Sequence, residues 1–141
     1  MPGILVRLAL VPVLFGLLLG LFSARGDGVH VMVINGLANA ASPWIMVAFV
    51  AGALQPSIRF GALAGTFTLL VAVLTYYVGF LASGASFLLP FLALWAAAAV
   101  VGGGLFGLAG GAWRADRARW GAPAVALVSG LLLAEAAHRL I

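Results

Sequence analysis

Residues 29–54 read VHVMVINGLANAASPWIMVAFVAGAL, and these 26 positions decide the fold. Their apolar content is that of a membrane span, yet the middle carries Asn35, Asn39 and Ser42, followed by Pro43 and Trp44. As a helix the segment would extend about 39 Å at 1.5 Å per residue, enough for one tilted crossing of a ~30 Å hydrocarbon core. Pro43 removes a helix hydrogen bond and crowds the preceding turn, and the two amides and the hydroxyl need partners away from water. One crossing, broken or kinked just before Pro43, is therefore expected. The alternative is a re-entrant segment that enters and leaves on the same side.

Outward from this segment, further apolar runs occupy residues 4–22, 60–82, 87–112 and 123–141. The first begins like a signal peptide, with Arg7 ahead of an apolar stretch. Ser23-Ala24-Arg25 is a poor cleavage site, however, and the chain stays apolar beyond it, so an uncleaved span is expected. Single strands could not satisfy their backbone groups in lipid, and the alternating pattern of a barrel is absent. The sequence thus predicts an all-α polytopic integral membrane helix bundle. It is a single transmembrane domain over residues 1–141 with about five spans, the second broken near Pro43.

Of the 141 residues, 65% are hydrophobic and 7% charged, against roughly 25% charged in soluble domains. That balance excludes an ordinary soluble protein. The formal net charge of +4 rests on seven Arg and no Lys, with too little polar face for the clustered basic surface that nucleic acid requires. The expected partner is the lipid bilayer, and no nucleic acid. No cysteine is present, so disulfides, thiolate ligands and Cys nucleophiles are excluded.

With five spans, Arg7, Arg59, Arg114, Arg117 and Arg119 share one side, and Arg25 and Arg139 the other. The positive-inside rule then places the N-terminus in the cytoplasm and the C-terminus outside, in a multi-pass protein of the cell membrane. A re-entrant second segment again splits the charges five to two, with Arg7 and Arg25 exchanged, so charge does not choose between the two topologies. Arg114, Arg117 and Arg119 are expected on anionic headgroups, with Trp113 and Trp120 as interfacial anchors.

Glycines recur at four-residue spacing: Gly16 and Gly20, Gly61 and Gly65, and Gly103, Gly107 and Gly111. Such GxxxG faces let helices approach closely in lipid. They would serve packing within the bundle, or association with a second copy or another membrane subunit. Gly102-Gly-Gly104 has apolar residues on both sides and is no phosphate loop.

Two groups of residues carry candidate chemistry. Asn35, Asn39, Ser42 and Trp44 surround the break, possible companions to Thr75, Tyr76 and Tyr77 of the third run. Broken helices expose backbone groups where transporters bind solutes or ions; the plainer role is hydrogen-bonded glue between helices. Glu135 is the one acid inside an apolar run, which makes it a titrating or ion-handling candidate with His138 and His30. Its plainer role is a local pair with Arg139 at i+4. The His and Glu spacings do not make a zinc site. No Ser-His-Asp order, paired intramembrane carboxylates or H-E-x-x-H helix is present, so no catalytic residues, metal or cofactor are expected.

Residues Asn35, Asn39, Ser42, Pro43 and Trp44, the following Ala48 to Leu54, and Tyr76-Tyr77 resemble a family of small, functionally uncharacterised bacterial integral membrane proteins, found mainly in actinobacteria. The resemblance covers most of the chain and implies no known activity. The residues themselves point to a small-solute or ion permeation or binding component. The alternative is a non-transporting subunit or scaffold that docks a partner through its Gly-rich faces. A cavity lined by Asn35, Asn39 and Tyr76 favours the first, and a dry seam the second.

Overall fold

In hydrocarbon a helix satisfies its own backbone groups, so each apolar run becomes one. The computed structural model describes residues 2–27 and 29–140. Met1, Gly28, Ile141 and the side chains of residues 2–5, 7 and 8 lie outside the described residues, Arg7 of the basic count among them. The described residues form helices α1 (Pro2–Gly26), α2 (Met32–Ala38), α3 (Ala41–Ala53), α4 (Ile58–Ala82), α5 (Leu89–Ala115) and α6 (Arg117–Arg139). Four of them, α1, α4, α5 and α6, are long and apolar enough to cross a membrane; α2 and α3 qualify together, joined at a 53° bend.

The bend lies at Asn39 and Ala40, slightly ahead of the expected place, and Pro43 sits in the first turn of α3. There its missing N–H is one of the donors a helix start leaves unpaired in any case. The stretch Arg114 to Trp120 also differs from expectation. Only Asp116 falls outside a helix, and its carboxylate accepts from the Arg119 N–H at 3.0 Å, so α6 starts at Arg117 and carries Pro123 inside it. Ser57 caps α4 in the same way, accepting from the Phe60 N–H.

Glycine spacing sets the packing and the directions of the helices. A Cβ on Gly16 would meet the Thr68 carbonyl oxygen at 2.6 Å, and one on Gly20 would meet that of Ala72 at 2.5 Å, so α1 and α4 run parallel. Gly65 sits on Gly103, and Gly61 on Gly107, which makes α4 and α5 antiparallel. Gly52 of α3 meets Gly107, and the Phe49 carbonyl meets Gly110. The result is a seam of α3, α4 and α5 backbones at van der Waals distance, the close approach that small residues permit in lipid.

These directions settle the course of residues 29–54. Ala24 near the end of α1 lies against Gly79 near the end of α4, whereas Ile58 at the start of α4 lies against Gly111 near the end of α5. The chain therefore leaves α1 at one end of the bundle and enters α4 at the other, so the bent pair α2–α3 traverses the bundle once. One end carries Arg59, Arg114, Arg117 and Arg119; the opposite end carries Arg25, Asp27, His30, Glu135, His138 and Arg139.

Helix α6 is set apart. It packs on α5 and touches α3, but among the described residues it does not pack against α4. The core joins Leu19, Ile45, Leu69, Val73, Tyr77 and Phe106 to Val128 of α6.

Candidate functional site

The break in the second span creates a need. Helix α3 begins with N–H groups that lack intrahelical acceptors, and its N-cap position is Ala40, which has no side chain to offer. Glu135, on α6, supplies the acceptor from 93 and 94 residues away. Its Oε1 accepts from the Ala41 N–H and its Oε2 from the Ser42 N–H, each at 2.8 Å. The Ser42 hydroxyl donates to the same Oε2. An anion at a helix N-terminus is doubly favourable, since it fills orphan donors and complements the helix dipole. The Arg139 Nη2 donates to Glu135 Oε1 at 3.1 Å, so the expected local ion pair forms as well. Its guanidinium lies beside Gly36 of α2.

A second polar set adjoins the first. Asn39 closes α2, its side-chain amide donating to the Asn35 carbonyl at 3.0 Å and to Asp27 Oδ1 at 3.4 Å. The Tyr76 hydroxyl donates to Asp27 Oδ2 at 2.7 Å. Tyr76 stacks on Phe80 and meets Tyr77 edge to face, with centroids 5.3 Å apart, and Tyr77 in turn packs on Phe87 at 4.5 Å.

Both sets border one cavity of about 990 Å³ between α3, α4, α5 and α6. Asn39, Tyr76, Glu135, His138 and Arg139 lie at its polar end; Trp44, Phe91, Trp95 and Phe106 contribute aromatic wall. Ser23 also lines it. That residue is 2% exposed, and its hydroxyl has no hydrogen-bond partner among the described residues. On α5 the lining reaches Gly102 and Phe106, next to the positions where Gly103 and Gly107 meet Gly65, Gly61 and Gly52.

Of the residues singled out from sequence, Asn39, Trp44, Tyr76, Tyr77, Glu135 and His138 border this cavity, and Ser42 joins through Glu135. Asn35 contributes its carbonyl and is not on the lining. Thr75 turns to α1, against Gly20. His30 is exposed in the link between α1 and α2. At the basic end Arg114 donates to the Ala53 carbonyl at 3.2 Å, while Arg117 and Arg119 lie over Trp113 and Trp120 at 4.0 and 5.2 Å. Among the described residues no three His, Asp or Glu gather as a metal site would require.

Sequence reasoning missed Ser23 and, apart from Trp44, the aromatic wall of Phe91, Trp95 and Phe106, since a serine or an aromatic in an apolar run carries no signal of its own. It also treated the Glu135 set and the Asn39 set as separate, whereas they meet. The uncapped start of α3 was the available clue: a helix beginning in lipid at Ala40 needs an acceptor, and the chain has one acid within an apolar run.

Fold and site together define a polytopic helical membrane protein with a cavity set into one end of its bundle. The chain belongs to the family of unknown function DUF6518, whose model matches residues 2–141. No curated protein and no solved structure matches it.

Proposed function

We propose that this protein is a membrane-embedded binding component that holds a small molecule in the cavity between α3, α4, α5 and α6. The cavity itself carries the reading. Its 990 Å³ lies at the upper end of small-molecule pockets, and it combines an aromatic wall with a few converging polar groups, the usual make-up of such sites. Binding is favoured over an open pore because the lining gathers residues of the end with Glu135 and Arg139 and includes none of Arg59, Arg114, Arg117 or Arg119 at the other. The alternative, docking of a partner on Gly-rich faces, is disfavoured because Gly61, Gly65, Gly103 and Gly107 are already spent within the chain. On the positive-inside rule we place the end with Arg59, Arg114, Arg117 and Arg119 in the cytoplasm of a cell membrane, so the cavity serves the external half.

Gly102 provides the test, because it lines the cavity and a Cβ there meets nothing within 4 Å. Gly102→Leu sets a branched side chain into the lining at a point where its Cβ meets no neighbour. Gly130→Leu is the control, open in the same sense but off the lining. Native mass spectrometry of the chain released from membrane nanodiscs should show a one-to-one small-molecule adduct in the wild type and in Gly130→Leu, and none in Gly102→Leu. Absence of an adduct from all three, or its persistence in Gly102→Leu, overturns the reading.

A further inference from the structure

Resting on that reading, we infer that the occupant is a single-chain amphiphile with an uncharged, hydrogen-bonding head, and that it enters sideways from the bilayer. Three observations carry this.

The first is shape. The lining runs along α5 from Leu88 to Phe106, and 18 residues at 1.5 Å give a long axis of ~27 Å. A volume of 990 Å³ spread over that length makes the cavity long rather than round, a shape that matches an extended chain.

The second is the mouth. Phe91 and Trp95 line the cavity yet are 55% and 56% exposed, and Leu88 and Leu131 are exposed beside them. These apolar residues mark the open side at membrane depth, so the route in leads from hydrocarbon rather than from water.

The third is the polar end. Its formal charges cancel, with Arg25 and Arg139 against Asp27 and Glu135. The stretches of α3, α4 and α5 that line the cavity add none. Glu135 is already paired with Arg139, and Asp27 is held by Tyr76 and Asn39. There is no basic cluster for a phosphate or carboxylate head and no spare carboxylate for a cation. What remains is neutral hydrogen-bonding capacity, above all the buried, unpartnered Ser23 hydroxyl, which suits a hydroxyl or amide head.

The chain has four tryptophans, which makes bromine quenching a direct test. A variant with Trp95→Phe, Trp113→Phe and Trp120→Phe retains Trp44, on the lining. In phosphatidylcholine nanodiscs, a monoacylglycerol with a 9,10-dibromo chain should quench Trp44 saturably. The same probe should quench a variant retaining only the exposed Trp120 in simple proportion to its mole fraction. Gly102→Leu should abolish the saturable component, and dibromostearate, with the same chain and an anionic head, should require at least tenfold more probe. If that variant does not fold, a diazirine-bearing monoacylglycerol crosslinked to the wild-type chain decides instead: adducts at Phe91, Trp95 or Phe106 support the inference, and adducts confined to outward residues such as Leu63 and Leu133 overturn it. Equal saturation by both heads, or no saturable quenching, also overturns it. A mass-spectrometric adduct without quenching sinks the amphiphile and leaves the binding reading standing; absence of both sinks the two together.

Discussion

Replacing Glu135 with Ala tests whether this carboxylate is chiefly an ion-pair partner or a helix cap supplied from another helix. The two roles differ in size. Arg139 keeps 43% of its side chain exposed, so its i,i+4 pair with Glu135 is screened and contributes about 0.3–0.5 kcal/mol. The cap involves two backbone N–H groups and the Ser42 hydroxyl. Loss of an N-cap costs typically about 1 kcal/mol, and hydrogen bonds to a charged group contribute about 1.5–3 kcal/mol where they are buried. Since the Ala41 bond is exposed and the Ser42 bonds are part-buried, the lower part of that range applies, and Glu135→Ala should cost about 2 kcal/mol. Glu135→Gln, which keeps one acceptor oxygen and loses the charge, should cost about half as much. Arg139→Ala should stay near 0.5 kcal/mol or below.

Hydrogen exchange in nanodiscs reads this locally. At about 1.4 kcal/mol per decade, a 2 kcal/mol loss makes the amides of Ala41 and Ser42 exchange roughly thirtyfold faster. Those of the fully buried Ala48 and Ala51, deeper in α3, serve as internal reference. Exchange at Ala41 and Ser42 within twofold of wild type, or an Arg139→Ala effect equal to that of Glu135→Ala, would refute the capping argument.

Gly107→Ala and Gly102→Ala should differ in sign in an equilibrium unfolding titration. The first drives a Cβ into the Gly61 carbonyl and should cost about 1–3 kcal/mol as overpacking does, whereas the second enters open space and should gain about 0.5–1 kcal/mol of helix propensity. Asp27→Ala removes the acceptor of the Tyr76 hydroxyl and an Asn39 amide bond; because the site is exposed, a loss of about 1 kcal/mol is expected, and no change in melting temperature counts against the second polar set. A reporter fused to the N-terminus should be active on the cytoplasmic side and one fused to the C-terminus outside, as a single crossing by residues 29–54 and the positive-inside rule require; both reporters on one side contradicts that topology.

The spans were legible because lipid removes the competing structures. A run such as residues 60–82, bounded by polar stops, has no option but a helix, and its limits in the structure, Ile58–Ala82, move only at the start, where Ser57 caps it. The limits of α6 were less legible because Pro123 looked like a first-turn residue. Asp116 instead starts the helix two turns earlier, and the bundle accommodates the hydrogen bond that Pro123 cannot make. Pro43 was more legible. In a continuous helix its ring would crowd the Asn39 carbonyl four residues back, and the bend lies there, at Asn39 and Ala40, which leaves Pro43 in the first turn of α3.

The candidate site was legible residue by residue but not as a whole. Polar groups in hydrocarbon declare themselves through their cost, which is why Asn39, Ser42, Tyr76 and Glu135 stood out. Which of them meet depends on helix order and direction, and the glycine contacts set these. Once α3 is antiparallel to α4 and α6 is antiparallel to α5, the end of α6 and the beginning of α3 fall at the same depth, and Glu135 reaches a helix start that has no side-chain cap of its own. This clamp has a further consequence. Lower down, α6 is buried on the bundle through Gly121, Ala124 and Val128; toward its end it is tied to α3 by Glu135. Between these two attachments it stands away from α4, and the cavity occupies the space. The carboxylate that completes the broken helix is therefore also the group that holds the end of α6 to α3, so the cap of the second span and one border of the cavity rest on the same side chain.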